Sequence, residues 1–144
     1  MAVTYTNNWK NILTALMSKI RSEMKCPVYS EWDKEIKANQ FIRIIPTGSS
    51  QTDKATHMEV REFEMECQYY FLNRKSSQFQ NYVLNQVSIL EALVHDNITL
   101  DLADNSKAVN VTLGSLDFDV EVDEYDDYFV CQWNLSCTHF GNTA

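Results

Sequence analysis

Residues 62–71 read E-F-E-M-E-C-Q-Y-Y-F, and the alternation in this stretch decides the fold class. Side chains along a β-strand point to opposite faces in turn. One buried face would therefore carry Phe63, Met65, Cys67, Tyr69 and Phe71. The stretch predicts a long strand over His57–Phe71. Met58 and Val60 fall in the opposite phase, so we expect a bulge near Arg61.

A second alternating stretch runs over Asp127–Phe140. Its apolar positions are Phe129, Cys131, Trp133, Leu135 and Cys137. The two stretches match in kind, with aromatic and sulfur-containing residues on one face of each. We therefore expect the two strands to pair and to form one continuous core.

Two stretches show the periodicity of amphipathic helices. In Asn8–Met24 apolar residues recur at i, i+3, i+4 and i+7, and Asn7 or Asn8 is a suitable N-cap. Pro27 excludes a continuation of this helix. The second helix is predicted over Ser76–Val94, with Ser76 or Ser77 as its cap.

The remaining segments complete an α+β pattern. Short strands are predicted over Val28–Trp32, Gln40–Ile45, Ile98–Leu102, Ala108–Leu113 and Leu116–Glu121. Thr47–Ala55 has no apolar periodicity and is predicted to be a mobile loop. We expect residues 1–144 to form a single domain. Its predicted fold is a two-layer α+β fold, a mostly antiparallel sheet with two main helices packed on one face.

Charge is distributed unevenly along the 144 residues. The net charge is −8, but residues 1–75 carry +2 and residues 76–144 carry −10, with Lys107 as their only basic residue. A phosphate-binding groove needs Lys and Arg, so the second half is not expected to hold nucleic acid. The chain begins with neither a signal peptide nor an apolar span, and we expect no membrane association.

Motifs for catalysis or metal binding are not found in the sequence. It contains no nucleophile elbow, P-loop, dinucleotide fingerprint or zinc-type Cys and His spacing. His57, His95 and His139 are isolated from one another along the chain. We therefore expect no enzymatic activity, no metal and no cofactor.

The acidic run Asp117–Asp127 does not fit the calcium-binding EF-hand in any register. Its simplest interpretation is a solvated strand face and turn. In an oligomeric ring the same residues would form a negative lumen or a docking rim. The candidates for this role are Asp117, Asp119, Glu121, Asp123, Tyr125 and Tyr128.

Glu62, Glu64 and Glu66 share the polar face of the first long strand, where like charges repel. This face is either wet or meets cations from elsewhere. The first helix offers Lys19 and Arg21, in the same chain or in a neighbour. These five residues are the candidates for a subunit interface.

The order of elements resembles the tail terminator (tail-completion) proteins of long-tailed bacteriophages, the group similar to lambda minor tail protein U. The resemblance rests on the opening helix, P-V-Y at 27–29, F-I-R-I-I-P at 41–46, E-F-E-M-E-C-Q-Y-Y at 62–70, V-L-N-Q-V-S-I-L-E-A-L at 83–93 and D-E-Y-D-D-Y-F-V-C-Q-W-N-L at 123–135. It covers nearly the whole chain.

The resemblance implies a hexameric ring in the virion neck, made in the host cytoplasm. The ring would end tail-tube polymerisation, join head-completion proteins and let DNA pass without sequence-specific binding. The polar loop would then contact the major tail tube protein or the head. Its candidate residues are Thr47, Gly48, Ser49, Ser50, Gln51, Asp53 and Lys54. Two alternatives remain open: another ring-forming neck or head-completion protein, and a small cytosolic protein-binding domain.

Overall fold

The structure is a computed structural model that describes residues 7–24, 26–30, 38–55, 58–72, 77–122 and 127–142. Within these residues, two helices and six strands follow one another. They are α1 (Asn8–Glu23), β1 (Val28–Tyr29), β2 (Gln40–Ala55), β3 (Met58–Leu72), α2 (Phe79–Asp96), β4 (Leu100–Asp101), β5 (Lys107–Val122) and β6 (Asp127–Asn142).

Both predicted helices form, with small differences at their ends. The Asn7 side chain caps α1 by accepting a hydrogen bond from the Lys10 amide at 3.0 Å, as predicted. Helix α2 begins at Phe79 rather than in the serine pair, and Gln78 occupies its N-cap position without a side-chain cap bond. The predicted cap at Ser77 is therefore wrong, and Ser76 lies outside the described residues.

The strands form one sheet in the order β1-β2-β3-β6-β5-β4. Only the β1–β2 pair is parallel. The two alternating stretches pair as predicted, with Cys67 of β3 opposite Trp133 of β6 and Met65 opposite Leu135. We call the side of the sheet that carries these four residues the core face, and the side that carries Glu62, Glu64 and Glu66 the outer face.

The main core joins the core face to both helices. It combines Ile12, Leu16 and Ile20 of α1 and Val83, Val87 and Leu90 of α2 with buried strand residues. Trp9 of α1 meets Phe63 edge-on, with ring centroids 4.8 Å apart. Among the described residues, no helix is both long enough and apolar enough to cross a membrane.

The predicted two-layer fold is wrong. The six-stranded sheet curls into a half-barrel and dominates the molecule, so it is not a sheet layer with helices stacked on one face. Strand length is the physical reason. β2, β3, β5 and β6 each span 15 or 16 residues, and the right-handed twist of each strand accumulates over such a length into a strongly coiled sheet.

Two strands of the sheet, β2 and β5, are longer than the sequence predicted. Thr47–Ala55 is not a loop, because β2 continues through it and pairs with β3 as far as Ala55 opposite Met58. Ala108–Leu113 and Leu116–Glu121 are likewise parts of one strand, β5. Backbone pairing with a neighbouring strand extends both strands through polar residues that carry no apolar signal of their own.

Apolar burial also occurs on the outer face, where the predicted fold had a solvated surface. A second cluster contains buried Phe41, Tyr70 and Val130, with half-buried Tyr29, Ala38 and Tyr128 packed against them. The rings of Phe41 and Tyr70 stack with centroids 4.5 Å apart. The alternation in β3 therefore ends at Tyr70, where both faces are buried.

Bulges interrupt the long strands. β5 has register shifts between Val109 and Thr112 and between Leu113 and Leu116. Gly114 lies in the second, where a Cβ atom would stand 3.3 Å from the Asn134 carbonyl oxygen. The bulge predicted near Arg61 is in the partner strand, since β3 pairs with β6 without a break there, while β2 shifts register between Gln51 and Asp53.

Candidate assembly surfaces

The outer face brings together two rows of carboxylate side chains that are far apart in the sequence. Glu62, Glu64 and Glu66 lie on β3, and Asp117 and Asp119 lie on β5, with β6 between them. Adjacent strands are about 4.8 Å apart, so the two rows are separated by roughly 10 Å. Between them β6 presents only neutral polar side chains, those of Gln132, Asn134, Ser136 and Thr138.

The carboxylates on this face are accessible to different degrees. Glu64, Asp117 and Asp119 are exposed, and Glu62 and Glu66 are half-buried. Because Glu64 and Glu66 point to the same side of one strand, their charges repel, and the repulsion is smallest when water separates them. This part of the outer face is thus negative, and Asp117 and Asp119 are exposed on it, whereas the lumen and docking roles stay predictions.

The other predicted lumen and docking residues differ in how far the structure describes them. Glu121 lies in β5 opposite Tyr128, whereas Asp123 and Tyr125 lie outside the described residues. The Tyr128 hydroxyl donates a hydrogen bond to the Ala38 carbonyl oxygen at 3.1 Å. Its ring packs in the second cluster. Tyr128 therefore stabilises the fold of its own chain, and its docking role stays a prediction.

The predicted contact loop is a strand, and one of its residues has a defined partner. Arg61 donates a hydrogen bond from Nη1 to the Ser49 hydroxyl at 3.2 Å. Its Nε forms an ion pair with Glu59 Oε1 at 2.6 Å. Thr47, Gly48, Ser49, Ser50, Gln51, Asp53 and Lys54 all belong to β2. Contact of these residues with a tube or head protein stays a prediction, but it cannot depend on a mobile loop becoming ordered.

Helix α1 carries the predicted cationic partners. Lys19 is exposed, and Arg21 donates a hydrogen bond from Nη2 to the Val28 carbonyl oxygen at 2.6 Å. Arg21 thereby fastens α1 to β1. Since α1 packs against the core face and the three glutamates lie on the outer face, the structure does not bring the two groups together within one chain. Their meeting across a subunit boundary stays a prediction.

A groove of about 900 Å³ opens between α1 and the middle of β2. Half-buried Trp9, Leu13 and Met17 provide its apolar wall, and Pro46 lies on the β2 side. Among the described residues that line it, the charged ones are Lys10 and Arg21, both cations. The groove was not predicted from the sequence, because the three apolar residues were assigned to the core stripe of the helix.

A second apolar surface lies between α2 and β5. A cavity of about 390 Å³ is lined there by Val83 and Leu84 of α2 and by Phe118 and Phe129 of the sheet, among others. Phe118 is 48% exposed and Leu84 is 41% exposed. Phe118 directly follows Asp117 on β5, so its ring lies on the core face and that carboxylate lies on the outer face of the same strand.

His139, Ser106 and Asp104 form a chain of hydrogen bonds that superficially resembles a catalytic triad. The Ser106 hydroxyl donates to Asp104 Oδ1 and lies 3.0 Å from His139 Nε2. A hydroxyl has one proton to donate, and Ser106 donates it to Asp104. The Ser106 oxygen can therefore only accept a hydrogen bond from His139. The imidazole then cannot act as a general base for Ser106, and the arrangement fastens the 102–106 turn to β6.

Burial shifts the pKa of His139, and hydrogen bonding shifts the pKa of Asp104. Burial lowers the pKa of His139, and the charges of Asp104 and Glu59 oppose that shift. The hydrogen bonds from Ser106 lower the pKa of Asp104. His139 therefore stays neutral at pH 7 and suits a structural role.

The cysteines are free thiols with little reactivity. Cys67, Cys131 and Cys137 are buried, and desolvation raises the pKa of each to about 12. A thiol needs its thiolate form to react as a nucleophile. Across the described ranges, no three His, Cys, Asp or Glu side chains are grouped to hold a metal ion.

A polar network at the half-buried edge of the core was also not predicted. Tyr69 accepts a hydrogen bond from Gln40 Nε2 and donates one to Gln86 Oε1 at 3.3 Å. Tyr82 donates to Gln40 Oε1, so the network ties β2, β3 and α2 together. Gln86 within the otherwise apolar stripe of α2 was the available signal, because a buried amide needs a partner.

No protein-family model matches the chain, and no curated protein sequence matches it. Its fold does match solved structures. One is a chain of a structure described as "Virion of native gene transfer agent (GTA) particle". The TM-score is 0.55 at 10% sequence identity, and the match covers 89% of this chain and 97% of that chain. At this identity the likeness establishes a shared fold.

Proposed function

We propose that this chain is a structural virion protein that closes the end of a phage-like tail tube as a ring. In this role it ends tube polymerisation and provides the surface that joins the head, with DNA passing through the ring. It acts through protein contacts and performs no chemical reaction. The finer assignment to the tail terminators rests on the resemblance in sequence pattern described above.

The observation that carries the proposal is the extent of the fold match. The match to a chain of a gene transfer agent virion covers 97% of that chain and 89% of this one. A shared fold alone does not define a function, because one fold serves many roles. Here, however, the fold likeness and the independent sequence resemblance point to the same class of particle.

The charge of the outer face supports the passage of DNA. A lumen lined by Glu64, Glu66 and Asp117 would repel the phosphates of DNA and would release no counterions from it. DNA would then pass without being held. This is the arrangement expected of a conduit, and it is the opposite of a nucleic-acid binding groove.

Tube polymerisation in the presence of this chain tests the proposal. The tube protein from the same genome is polymerised with and without the purified chain, and tube lengths are measured by negative-stain electron microscopy. We expect shorter tubes, with a tagged chain at one end of each. Unchanged lengths and no end labelling contradict the proposal. Binding to the head connector without any effect on tubes would favour a neck or head-completion protein instead.

A further inference from the structure

We propose that the groove between α1 and β2 receives the Phe118 edge of a second copy of this chain. This inference deepens the proposed function, on which it rests for the closed ring, by naming the two surfaces that join neighbouring subunits. One subunit contributes the α1 groove and the next contributes the surface between α2 and β5.

The apolar parts of the two surfaces are complementary. The groove presents the half-buried side chains of Trp9, Leu13 and Met17. Phe118, 48% exposed, offers an aromatic ring that such a site can enclose. Large aromatic side chains that enter apolar pockets are the usual anchors of protein interfaces. The groove, at about 900 Å³, has room for a ring and its neighbours.

The charged parts of the two surfaces are also complementary. Among the described residues that line the groove, the charged ones are Lys10 and Arg21. Asp117 precedes Phe118 on β5 and lies on the opposite face of that strand, so both flank the same sheet edge. Opposite charges at the rim of an interface set orientation and association rate more than affinity. The same pairing disfavours contact between two grooves or between two β5 edges, so the interface selects one orientation.

The topology places the two surfaces where a ring requires them. β2 and β5 lie on opposite sides of the β3–β6 pair in the sheet order. Each chain can therefore receive one neighbour and insert into another, which is the head-to-tail geometry of a closed ring. β5 is also accessible, because β4 pairs only with Lys107 and Ala108 within the described part of the sheet.

The row Glu62, Glu64 and Glu66 is less suited to meet α1 of a neighbour. It lies on β3, which is paired on both sides by β2 and β6. A neighbouring helix would have to lie flat on the outer face to reach it. Asp117 on β5 is approached from the side of the sheet, so the β5 carboxylates are the nearer partner for the cations of α1.

Two defective variants test the interface when they are mixed. Phe118→Asp removes the inserted ring, and the double variant Lys10→Glu with Thr14→Glu closes the groove at two exposed positions. We expect each alone to self-associate at least about tenfold more weakly than wild type, by sedimentation velocity at low salt. Mixed in equal amounts, they should form a heterodimer and nothing larger, since one intact interface remains.

Phe140→Asp is the matched control. Phe140 is 47% exposed and lies on the outer face, so we expect it to associate as wild type does. Circular dichroism verifies that each variant folds. If Phe118→Asp does not fold, Asp117→Lys at the same edge replaces it, and Lys10→Glu is then expected to restore association.

Several outcomes overturn the interface. They are association of Phe118→Asp at wild-type strength, loss of association in Phe140→Asp instead, and a mixture that stays monomeric. A wild-type chain that is monomeric at about 1 mM also overturns it, since tethering on a tube end supplies concentrations of that order. Groove-dependent binding of tube protein by such a monomer would assign the groove to another occupant.

The two proposals fail separately. Capping of tubes that is insensitive to Phe118→Asp and to the groove variant overturns this interface and leaves the capping function in place. Self-association that depends on Phe118, without any effect on tube length, overturns the capping function and leaves the interface in place.

Discussion

Cys67 of β3 lies directly opposite Trp133 of β6, and both side chains are fully enclosed at the centre of the sheet. This pair joins the two alternating stretches from which the sheet was predicted. The indole of Trp133 also donates a hydrogen bond from Nε1 to Glu91 Oε2 at 3.4 Å, so the pair is linked to α2.

Replacing the buried indole should be the most damaging single change in the sheet. Trp133→Ala is expected to lower the free energy of unfolding by about 3–5 kcal/mol, because it leaves a large cavity. Urea denaturation at neutral pH measures the change. Asn134→Ala, the exposed neighbour on the outer face, should stay within about 0.5 kcal/mol. Equal effects in the two variants would contradict the strand phase.

Stability should fall as His139 becomes protonated. Its pKa in the folded chain is lowered by burial, whereas the pKa of histidine in an unfolded chain is about 6.5. The unfolded state therefore binds more protons below that pH. The stabilisation is complete above about pH 6.5 and is lost as the pH falls through the lower pKa of the folded state.

Thermal unfolding at pH 7.5 and at pH 5.5 measures this dependence. The comparison is between wild type and His139→Gln, which removes the titrating group, so that the carboxylates common to both cancel. We expect a smaller loss of melting temperature in His139→Gln than in wild type. His95→Gln, at an exposed position of α2, is the control and should follow wild type. Identical pH profiles for all three chains would contradict the prediction.

Calcium is expected to leave the fold unchanged. Asp117 and Asp119 point to one side of an extended strand, whereas an EF-hand loop wraps its ligands around the ion. Millimolar calcium should raise the melting temperature by no more than about one or two degrees, since only a ligand of the folded state stabilises it. A larger rise that magnesium does not reproduce and a chelator reverses would identify a calcium site.

Reversing the outer-face charge should convert a conduit into a DNA trap. Glu64→Lys with Glu66→Lys replaces two negative charges by two positive ones, a net change of about +4 per subunit, and the variant ring is expected to cap tubes yet retain DNA at low salt. Retention should fall steeply as salt rises. The matched control places four lysines on the exposed side of α2, at Gln80, Asn81, Asn85 and Ser88. If that control traps DNA equally, the outer face does not line the lumen.

Charge reversal at Lys19 and Arg21 together should weaken capping at low salt, because the proposed ring places cations of α1 against a neighbouring subunit. Lys19→Glu alone separates this effect from the hydrogen bond of Arg21 to Val28. Charge reversal at Glu62, Glu64 and Glu66 tests whether these glutamates are the residues that meet the cations of α1. If that triple variant caps tubes normally while Asp117→Lys does not, the carboxylates that meet α1 are those of β5.

Local patterns predicted some features correctly because their causes are local. The N-cap at Asn7 depends on one side chain and one amide three residues away. The pairing of β3 with β6 followed from two matching alternations, since a shift by one residue would expose every apolar side chain of a strand. The chemistry of the outer-face carboxylates was also readable, because strand phase assigns Glu62, Glu64 and Glu66 to one side.

Other features depended on partners distant in the sequence. The segment 47–55 has no apolar periodicity, yet it is a strand because β3 supplies a ladder of backbone hydrogen bonds along it. The second cluster around Phe41 and Tyr70 was not predicted, since nothing near Tyr70 in the sequence indicates that Phe41 stacks on it. The curl of the sheet follows from strand lengths that only pairing defines.

The sequence by itself determined which side chains share a strand face, where the helices lie, and that the second half of the chain carries the negative charge. These properties depend on residue order and on the repeat of each backbone conformation. The tertiary structure alone decided that the glutamates of β3 and the aspartates of β5 form one surface. It also decided that Trp9, Leu13 and Met17 open onto a groove beside β2. Phe118 lies on β5, on the other side of the β3–β6 pair. Strand order and sheet curvature are set by contacts between segments far apart in the chain, and periodicity within a segment does not encode which segments meet.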